Sequence, residues 1–221
     1  MSGKEKLVFI FGPTGVGKSD VAVQVAEDIG EIVSVDSMQV YRDMDIGTAK
    51  PDAWMLKSVP HHLVSIVSSR FRFSAGDFRR LALEAIADIV RRNRVPILVG
   101  GTGLYFRALE YDLSRAPKAD PVLRERLYRA EERRRGYLHG RLSILDPVAA
   151  GRIHPNDLVR IVRAIEIYEL SGVTFSQLAD TMEKPQFATL KLGLTMDREL
   201  LYERLEQRCR SMINRGLAEE V

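Results

Sequence analysis

A single cysteine, Cys209, stands in 221 residues, so an intrachain disulfide framework and a Cys-rich zinc cluster are both excluded. Long hydrophobic runs are missing as well. Leu7 to Phe11, behind Lys4, Glu5 and Lys6, is too short for a signal-peptide core or a membrane span. A reducing, cytoplasmic setting with no membrane partner is the expectation. The sequence has no internal repeat and no low-complexity linker. Apolar residues are not scarce: at 45% they suffice for one large domain, or for a core with a smaller insert.

Net charge is also small, +3. Its placement is uneven: residues 1–113 hold 14 basic and 14 acidic side chains, residues 114–184 hold 13 and 10, and residues 185–221 hold 6 and 6. A basic middle between neutral flanks suits a polyanionic partner such as nucleic acid, although a solvated helical face accounts equally for three charges.

Leu7 to Phe11, closed by Gly12 and Pro13, reads as a strand buried on both faces. The spacing of Val21, Val25, Ala26 and Ile29 predicts a helix from Lys18, ended by Gly30. Ile32 to Val35 is a second strand. Ser74 with Asp77 forms a capping box for a helix reaching about Arg92, and Val95 to Val99 is a third strand. Strands alternating with helices imply a parallel sheet covered on both sides, which binds ligands at the carboxyl ends of its strands. Three polar constellations fall at those ends: Gly12 to Ser19, Asp36 to Gln39, and Gly100 to Gly103. One shared site is the expectation. From about Ser114 the pattern becomes helix after helix, clearest at Pro121 to Arg135 and at Asp157 to Leu170, the second capped by Asn156 or Asp157 and stopped by Gly172, before a strand-like run at Phe187 to Leu194 and a charged helix at Asp197 to Asn214. We therefore expect an α/β core of residues 1–113 and 186–221 with an all-helical insert of residues 114–185. The chain stops at Val221 without a closing strand, as a truncated core would.

Gly12-Pro13-Thr14-Gly15-Val16-Gly17-Lys18-Ser19 matches G-x-x-x-x-G-K-[ST] between a predicted strand and a predicted helix, the context the motif requires. Such a loop wraps closely enough for backbone N–H groups and the helix N-terminus to meet phosphate oxygens. Lys18 adds positive charge, and the Ser19 hydroxyl can ligate Mg²⁺. Hydrolysis, phosphoryl transfer and diphosphate departure all need this cradle. The third strand ends in Gly100-Gly101-Thr102-Gly103 where a hydrolase or kinase usually places a metal-organising carboxylate, and no Asn-Lys-x-Asp guanine-recognition sequence occurs.

Further residues resemble the tRNA dimethylallyltransferases: Asp36-Ser-Met-Gln-Val-Tyr41 with Asp45-Ile-Gly-Thr-Ala-Lys-Pro51, then Pro60-His-His-Leu63, Phe73-Ser-Ala-Gly-Asp-Phe78, Pro96 through Tyr105, and Asn156-Asp157 with Arg160 and Arg163-Ala-Ile-Glu166. The resemblance spans essentially the whole chain. It implies a P-loop NTPase-like core and transfer of a dimethylallyl group from dimethylallyl diphosphate to N6 of the adenosine 3′ of the tRNA anticodon. Lys18, the loop amides and Mg²⁺ at Ser19 would hold the departing diphosphate. Asp36 would take the amine proton, with an ordinary strand-end cap or a second-shell metal role as its alternatives. Thr102 would sit near the reacting centre, touching Asp36 and the amine. Ser37, Met38 and Gln39 would hold the target base, Gln39 being suited to an adenine edge and Met38 to packing beside it.

By the same resemblance the helical insert grips the anticodon stem-loop through some of Arg124, Arg126, Arg129, Arg133, Arg134 and Arg135, and through Arg160 and Arg163. Val159 and Val162 depart from the family's polar residues there. His61, His62 and His154 read as hydrogen-bonded structural residues, Tyr41 and Trp54 as packing. The family's further C-terminal part completes the core and adds tRNA and diphosphate contacts. A monomer is expected. Three rivals stay open: an isopentenyltransferase acting on free AMP, ADP or ATP, which the basic insert disfavours; a small-molecule or nucleotide kinase, which leaves the Asp36 segment unused; and a nucleic-acid-binding ATPase.

Overall fold

The computed structural model describes residues 4–111, 116–180 and 186–221. The chain forms β1 (Lys6–Phe11), α1 (Lys18–Ile29), β2 (Gly30–Val35), α2 (Ala53–Ser58), β3 (His61–His62), α3 (Ala75–Arg91), β4 (Val95–Gly100) and α4 (Gly103–Glu110). Five helices follow: α5 (Pro121–Arg133), α6 (Tyr137–Leu145), α7 (Pro147–Arg152), α8 (Leu158–Ser171) and α9 (Phe175–Asp180). It closes with β5 (Ala188–Gly193), α10 (Arg198–Asn214) and α11 (Leu217–Glu220). Two compact units result, Met1–Tyr111 with Pro185–Val221, and Asp112–Lys184. The expected boundaries at 113/114 and at 185 lie outside the described residues.

The first unit is an α/β layer. Its strands run β3-β2-β4-β1-β5, all parallel, with Val8 opposite Ile97, Ile32 opposite Ile97 and Lys6 opposite Ala188 fixing the register. Period-two alternation gives the sheet two apolar faces. Leu7, Phe9, Val33, Val35 and Leu98 pack with Phe78, Ala82, Ile86 and Ile89 of α3 and Leu109 of α4. Ile10, Ile32, Ile97 and Val99 meet Ala22, Val23 and Ala26 of α1 on the other. Both faces being covered explains why these strands read as continuous apolar runs.

Local chemistry sets the boundaries. Ser74 and Asp77 exchange both capping-box bonds at the start of α3. Gly30 does end α1, yet it is extended (φ −145°) and is already the first residue of β2. The carbonyls at and just past that helix end are bonded by Arg94, whose guanidinium donates to the oxygens of Ala26, Glu27, Asp28 and Gly30 at 2.9–3.2 Å. In the first unit, α2, β3, α4 and α11 were not anticipated from the sequence. β3 is two residues long, too short for a period to show.

The second unit is helical among the described residues and has its own core, in which Leu127, Leu138, Leu142, Ile161 and Ile165 are buried. Asp157 caps α8 and Gly172 ends it, both as expected. Asp120 caps α5 ahead of Pro121, and Asp146 caps α7 ahead of Pro147.

Candidate active site

β1 ends at Phe11 and the chain turns at once into the phosphate loop. Val16 is buried and pins the loop, while Gly17 takes φ 90°, a left-handed conformation in which glycine alone is unstrained, to aim the first turn of α1 into the loop. Lys18 folds back over this turn, its Nζ donating to the carbonyl oxygens of Gly12 (3.0 Å) and Pro13 (2.7 Å). Burial pulls the Lys18 pKa below the usual lysine value; Asp36 opposes this and Arg208 adds to it.

Asp36 follows β2. Its Oδ1 accepts the N–H groups of Met38 (2.8 Å) and Gln39 (3.3 Å), closing an Asx turn. Oδ2 receives no hydrogen bond from the described residues, so Oδ1 alone fixes the turn. After β4, the Thr102 N–H donates to Val35 O at 3.3 Å and its Oγ1 accepts from Ser37 N–H at 3.2 Å. Thr102 thus braces the residue beside Asp36; among the described residues it has no hydrogen bond to Asp36 itself. Tyr105 of α4, stacked on Phe78 with ring centroids 4.3 Å apart, anchors that turn in the core.

The three strand-end constellations converge, as the topology requires. A cavity of about 480 Å³ has Thr14, Gly15, Gly17, Lys18 and Ser19 of the loop, Asp36, Gln39, Gly100 and Gly101 in its wall. Opposite them the sequence reading missed a whole wall: Arg204, Gln207, Arg208 and Ser211 of α10. Their spacing of three, one and three places them on one helical face, a signal present in the sequence. What it did not give was the position of α10, which depends on β5 pairing with β1. The cavity therefore sets Lys18, Arg204 and Arg208 against two carboxylates, Asp20 and Asp36.

Gln39 is placed otherwise than expected. Its Nε2 donates to the carbonyl oxygens of Thr48 (3.4 Å) and Ala49 (3.1 Å), and its Oε1 accepts from Ser34 Oγ (3.0 Å). Its side-chain amide is thus bonded within the protein. Met38 is 43% exposed and Ser37 half-buried. Trp54 is 62% exposed rather than packed, whereas Tyr41 accepts a hydrogen bond from Phe73 N–H at its hydroxyl. Each family-like histidine is hydrogen-bonded: His61 to Val59 O, His62 to Glu31, and His154 to Asn156 N–H.

In the helical unit two of the arginines expected to meet RNA are bonded within the protein. Arg124 donates from Nε and Nη2 to the two oxygens of Glu166, both at 2.8 Å, and Arg163 reaches the same carboxylate at 2.5 Å and Pro117 O at 2.8 Å. Glu166 is completely buried, and an ionised carboxylate there requires these partners. Arg160 differs: it is 74% exposed and only loosely paired with Asp157 at 3.4 Å. Val159 is exposed, but Val162 is buried in the unit's core and has no surface to offer. Arg133, Arg134 and Arg135 are exposed; the last two border a second hollow with Tyr137 and Arg141. Arg126 and Arg129 are paired with Glu169 and Glu125.

A family model described as IPP transferase matches residues 39–221. A protein of Geobacter metallireducens named tRNA dimethylallyltransferase is 52% identical over 99% of this chain and 72% of its own length. A Syntrophotalea carbinolica protein named tRNA dimethylallyltransferase 1 is 50% identical over 97% and 70%. Among solved structures, a eukaryotic dimethylallyltransferase described as acting on tRNA superposes with a TM-score of 0.85 at 34% identity, covering 98% of this chain and 55% of that one. The full-length tRNA isopentenylpyrophosphate transferase of Bacillus halodurans gives 0.67 at 43%, covering 98% and 69%. With a matched family model over most of its length and relatives at half identity, the chain belongs to the IPP transferase family.

Proposed function

We propose that this chain transfers the dimethylallyl group of dimethylallyl diphosphate to N6 of the adenosine 3′ of a tRNA anticodon. The observation that carries this reading is the cavity whose wall combines residues of the phosphate loop, Arg204 and Arg208 of α10, Asp36, and Gly100 and Gly101. The N6 lone pair attacks the allylic carbon, the carbon–oxygen bond breaks, and its electron pair leaves on the diphosphate. Lys18, Arg204, Arg208 and the loop amides meet that charge as it grows. Oδ2 of Asp36 accepts the N6 proton, which offsets the poor nucleophilicity of a lone pair delocalised into the ring. Thr102 contributes by holding Ser37, and hence the Asp36 turn, in place.

The Ser19 hydroxyl and the Asp20 carboxylate, both in the cavity wall, are hard oxygen donors of the kind that would hold Mg²⁺. No cluster of three His, Cys, Asp or Glu able to hold a metal alone occurs among the described residues. A bound Mg²⁺ would supply further charge neutralisation to the departing diphosphate.

The target base must leave its stack to reach Asp36. Exposed Arg160, Arg133, Arg134 and Arg135 are our choices for phosphate-backbone contacts. No helix among the described residues is long and apolar enough to cross a membrane; we place the enzyme in the cytoplasm, as a monomer. The test offers labelled dimethylallyl diphosphate with unmodified tRNA or with AMP. Label in tRNA supports the proposal; label in AMP alone, or none while ATP is consumed, overturns it.

A further inference from the structure

Far from the phosphate loop in sequence, Glu220 of α11 sits in a nest of three consecutive backbone donors. Its Oε2 accepts the N–H groups of Asp45 and Ile46, both at 2.7 Å, and its Oε1 accepts that of Gly47 at 2.8 Å. Three N–H groups converging in this way form an anion site, here filled by the protein's own carboxylate. The bonds from Gly47 and Ile46 pull the Glu220 pKa below the usual carboxylate range. Leu217 of the same short helix lies over Gly47, where an added Cβ would meet it at 3.2 Å.

What this loop touches gives the contact its meaning. Residues 45–47 lead into Thr48 and Ala49, which form part of the cavity wall. The carbonyl oxygens of Thr48 and Ala49 are the acceptors of the Gln39 side chain, and Gln39 N–H, with Met38 N–H, is held by Asp36 Oδ1. Lys50 ties the loop from the other side, donating to Tyr41 O and Asp45 Oδ1, each at 2.5 Å. An unbroken path of hydrogen bonds and short backbone segments thus runs from α11 to the carboxylate in the cavity. The loop also contains two non-glycine residues with left-handed φ, Asp43 (62°) and Ala49 (47°), a conformation that needs outside support.

We infer that Glu220 is a positioning residue: by clamping residues 45–47 it holds Thr48 and Ala49 against Gln39, and through Gln39 fixes the orientation of Asp36. This rests on the proposed function in giving Asp36 the proton-accepting role, and it adds a residue, and a use for Gln39, that the reading did not contain. Donor binding belongs to Lys18 and the phosphate loop, which this path does not enter. Loss of the clamp should therefore lower turnover and spare the donor.

The experiment compares the intact protein with Glu220→Ala, Glu220→Gln and Gln39→Leu in two readouts. By amide exchange, Glu220→Ala should speed exchange at residues 45–47 and at Met38 and Gln39 by about tenfold, with β1 and β4 unchanged. Gln39→Leu should speed exchange at Met38 and Gln39 and leave residues 45–47 protected. In transfer assays per folded enzyme, Glu220→Ala should lower kcat about tenfold with the KM for dimethylallyl diphosphate within about threefold. Glu220→Gln, keeping one acceptor oxygen, should fall between. The double variant Glu220→Ala with Gln39→Leu should be no slower than the worse single variant, since both cut one path. Unchanged exchange at Met38 and Gln39, unchanged kcat, additive losses, or equal loosening of the whole sheet would each overturn the inference. If the unaltered protein transfers nothing, the proposed function fails while exchange at Met38 and Gln39 still decides whether the path exists.

Discussion

Replacing Glu166 with alanine separates a stabilising arginine from an RNA-binding one. The carboxylate is fully buried and accepts from Arg124 Nε and Nη2, from Arg163 Nη1 and from Asp120 N–H, all at 2.5–2.8 Å. Removing one side of a buried ion pair typically costs about 3–5 kcal/mol because the remaining charge is stranded. The two guanidinium groups are 31% and 29% exposed, so water takes up part of their lost bonding, and the lower end, about 3 kcal/mol, applies. For a helical unit of this size that loss lowers its melting temperature by roughly 12–24 °C. Helical circular dichroism reads the transition, and the lone Trp54 lies in the other unit and reports it separately. Arg124→Ala should destabilise in the same unit, and in the folded protein should leave tRNA affinity within about twofold. Arg160→Ala or Arg134→Ala should do the reverse, weakening tRNA binding and lowering its salt dependence by about one unit per lost phosphate contact with no change in melting. An unshifted melting temperature in Glu166→Ala, or Arg124→Ala losing tRNA while fully stable, refutes the assignment.

Three further outcomes are expected. Lys18→Ala should weaken inorganic diphosphate binding, measured calorimetrically, by about 10- to 100-fold, whereas Asp36→Ala should cut turnover by about 10²–10⁴ and leave that binding nearly intact; equal loss of binding in both would make Asp36 a metal or structural residue. Arg94→Ala frees the carbonyl oxygens at the end of α1 and should lower stability in urea by about 1–3 kcal/mol, with Arg94→Lys recovering only part, since a single ammonium cannot span four acceptors. Acid should destabilise in two stages. Burial holds His61 below 6.5, so stability starts to fall as pH drops through 6.5, where the unfolded imidazole takes its proton first. A steeper loss follows below about pH 4. There Glu31, held low mainly by Arg92, and Asp146 and Glu166, where hydrogen bonds outweigh the opposing effect of burial, lose stability that is complete above their unfolded values. Urea midpoints between pH 3 and 8 check both stages, and a midpoint that rises toward acid contradicts them.

How far such features could be read from sequence depended on where their partners lie. The phosphate loop was legible because its chemistry is carried by backbone shape, which Gly12 to Ser19 specify locally. The capping box of α3 and the ends of α8 were legible for the same reason. Gln39, Arg124 and Arg163 were given outward roles because residue type shows what a side chain can bond and not what it meets. The partner of Arg124 is 42 residues away, and the second acceptor of Gln39 is in a loop with no regular period. Arg204 and Arg208 had the opposite problem: their own spacing was plain, but their place over the phosphate loop required the β5 to β1 pairing first.

Strand order explains why two distinct kinds of chemistry can share this cavity. β1 carries the phosphate loop and β2 carries Asp36, but the two strands are not neighbours; β4 lies between them. With strands about 4.8 Å apart, the ends of β1 and β2 are separated by roughly 9–10 Å. That interval can accommodate a diphosphate at one side, a proton-accepting carboxylate at the other, and the reacting carbon and nitrogen between. The strand in the gap must end without a side chain that blocks it or pushes its neighbours apart. β4 ends at Gly100, where an added Cβ would stand 2.0 Å from Val35 O, directly before Asp36. Any larger residue would displace the end of β2 and the carboxylate with it, leaving the loop after β1 in place. On the proposed assignment, anion binding and proton acceptance should therefore be separable by mutation even though they line one cavity, because each is set by a different strand and β4 pairs with both.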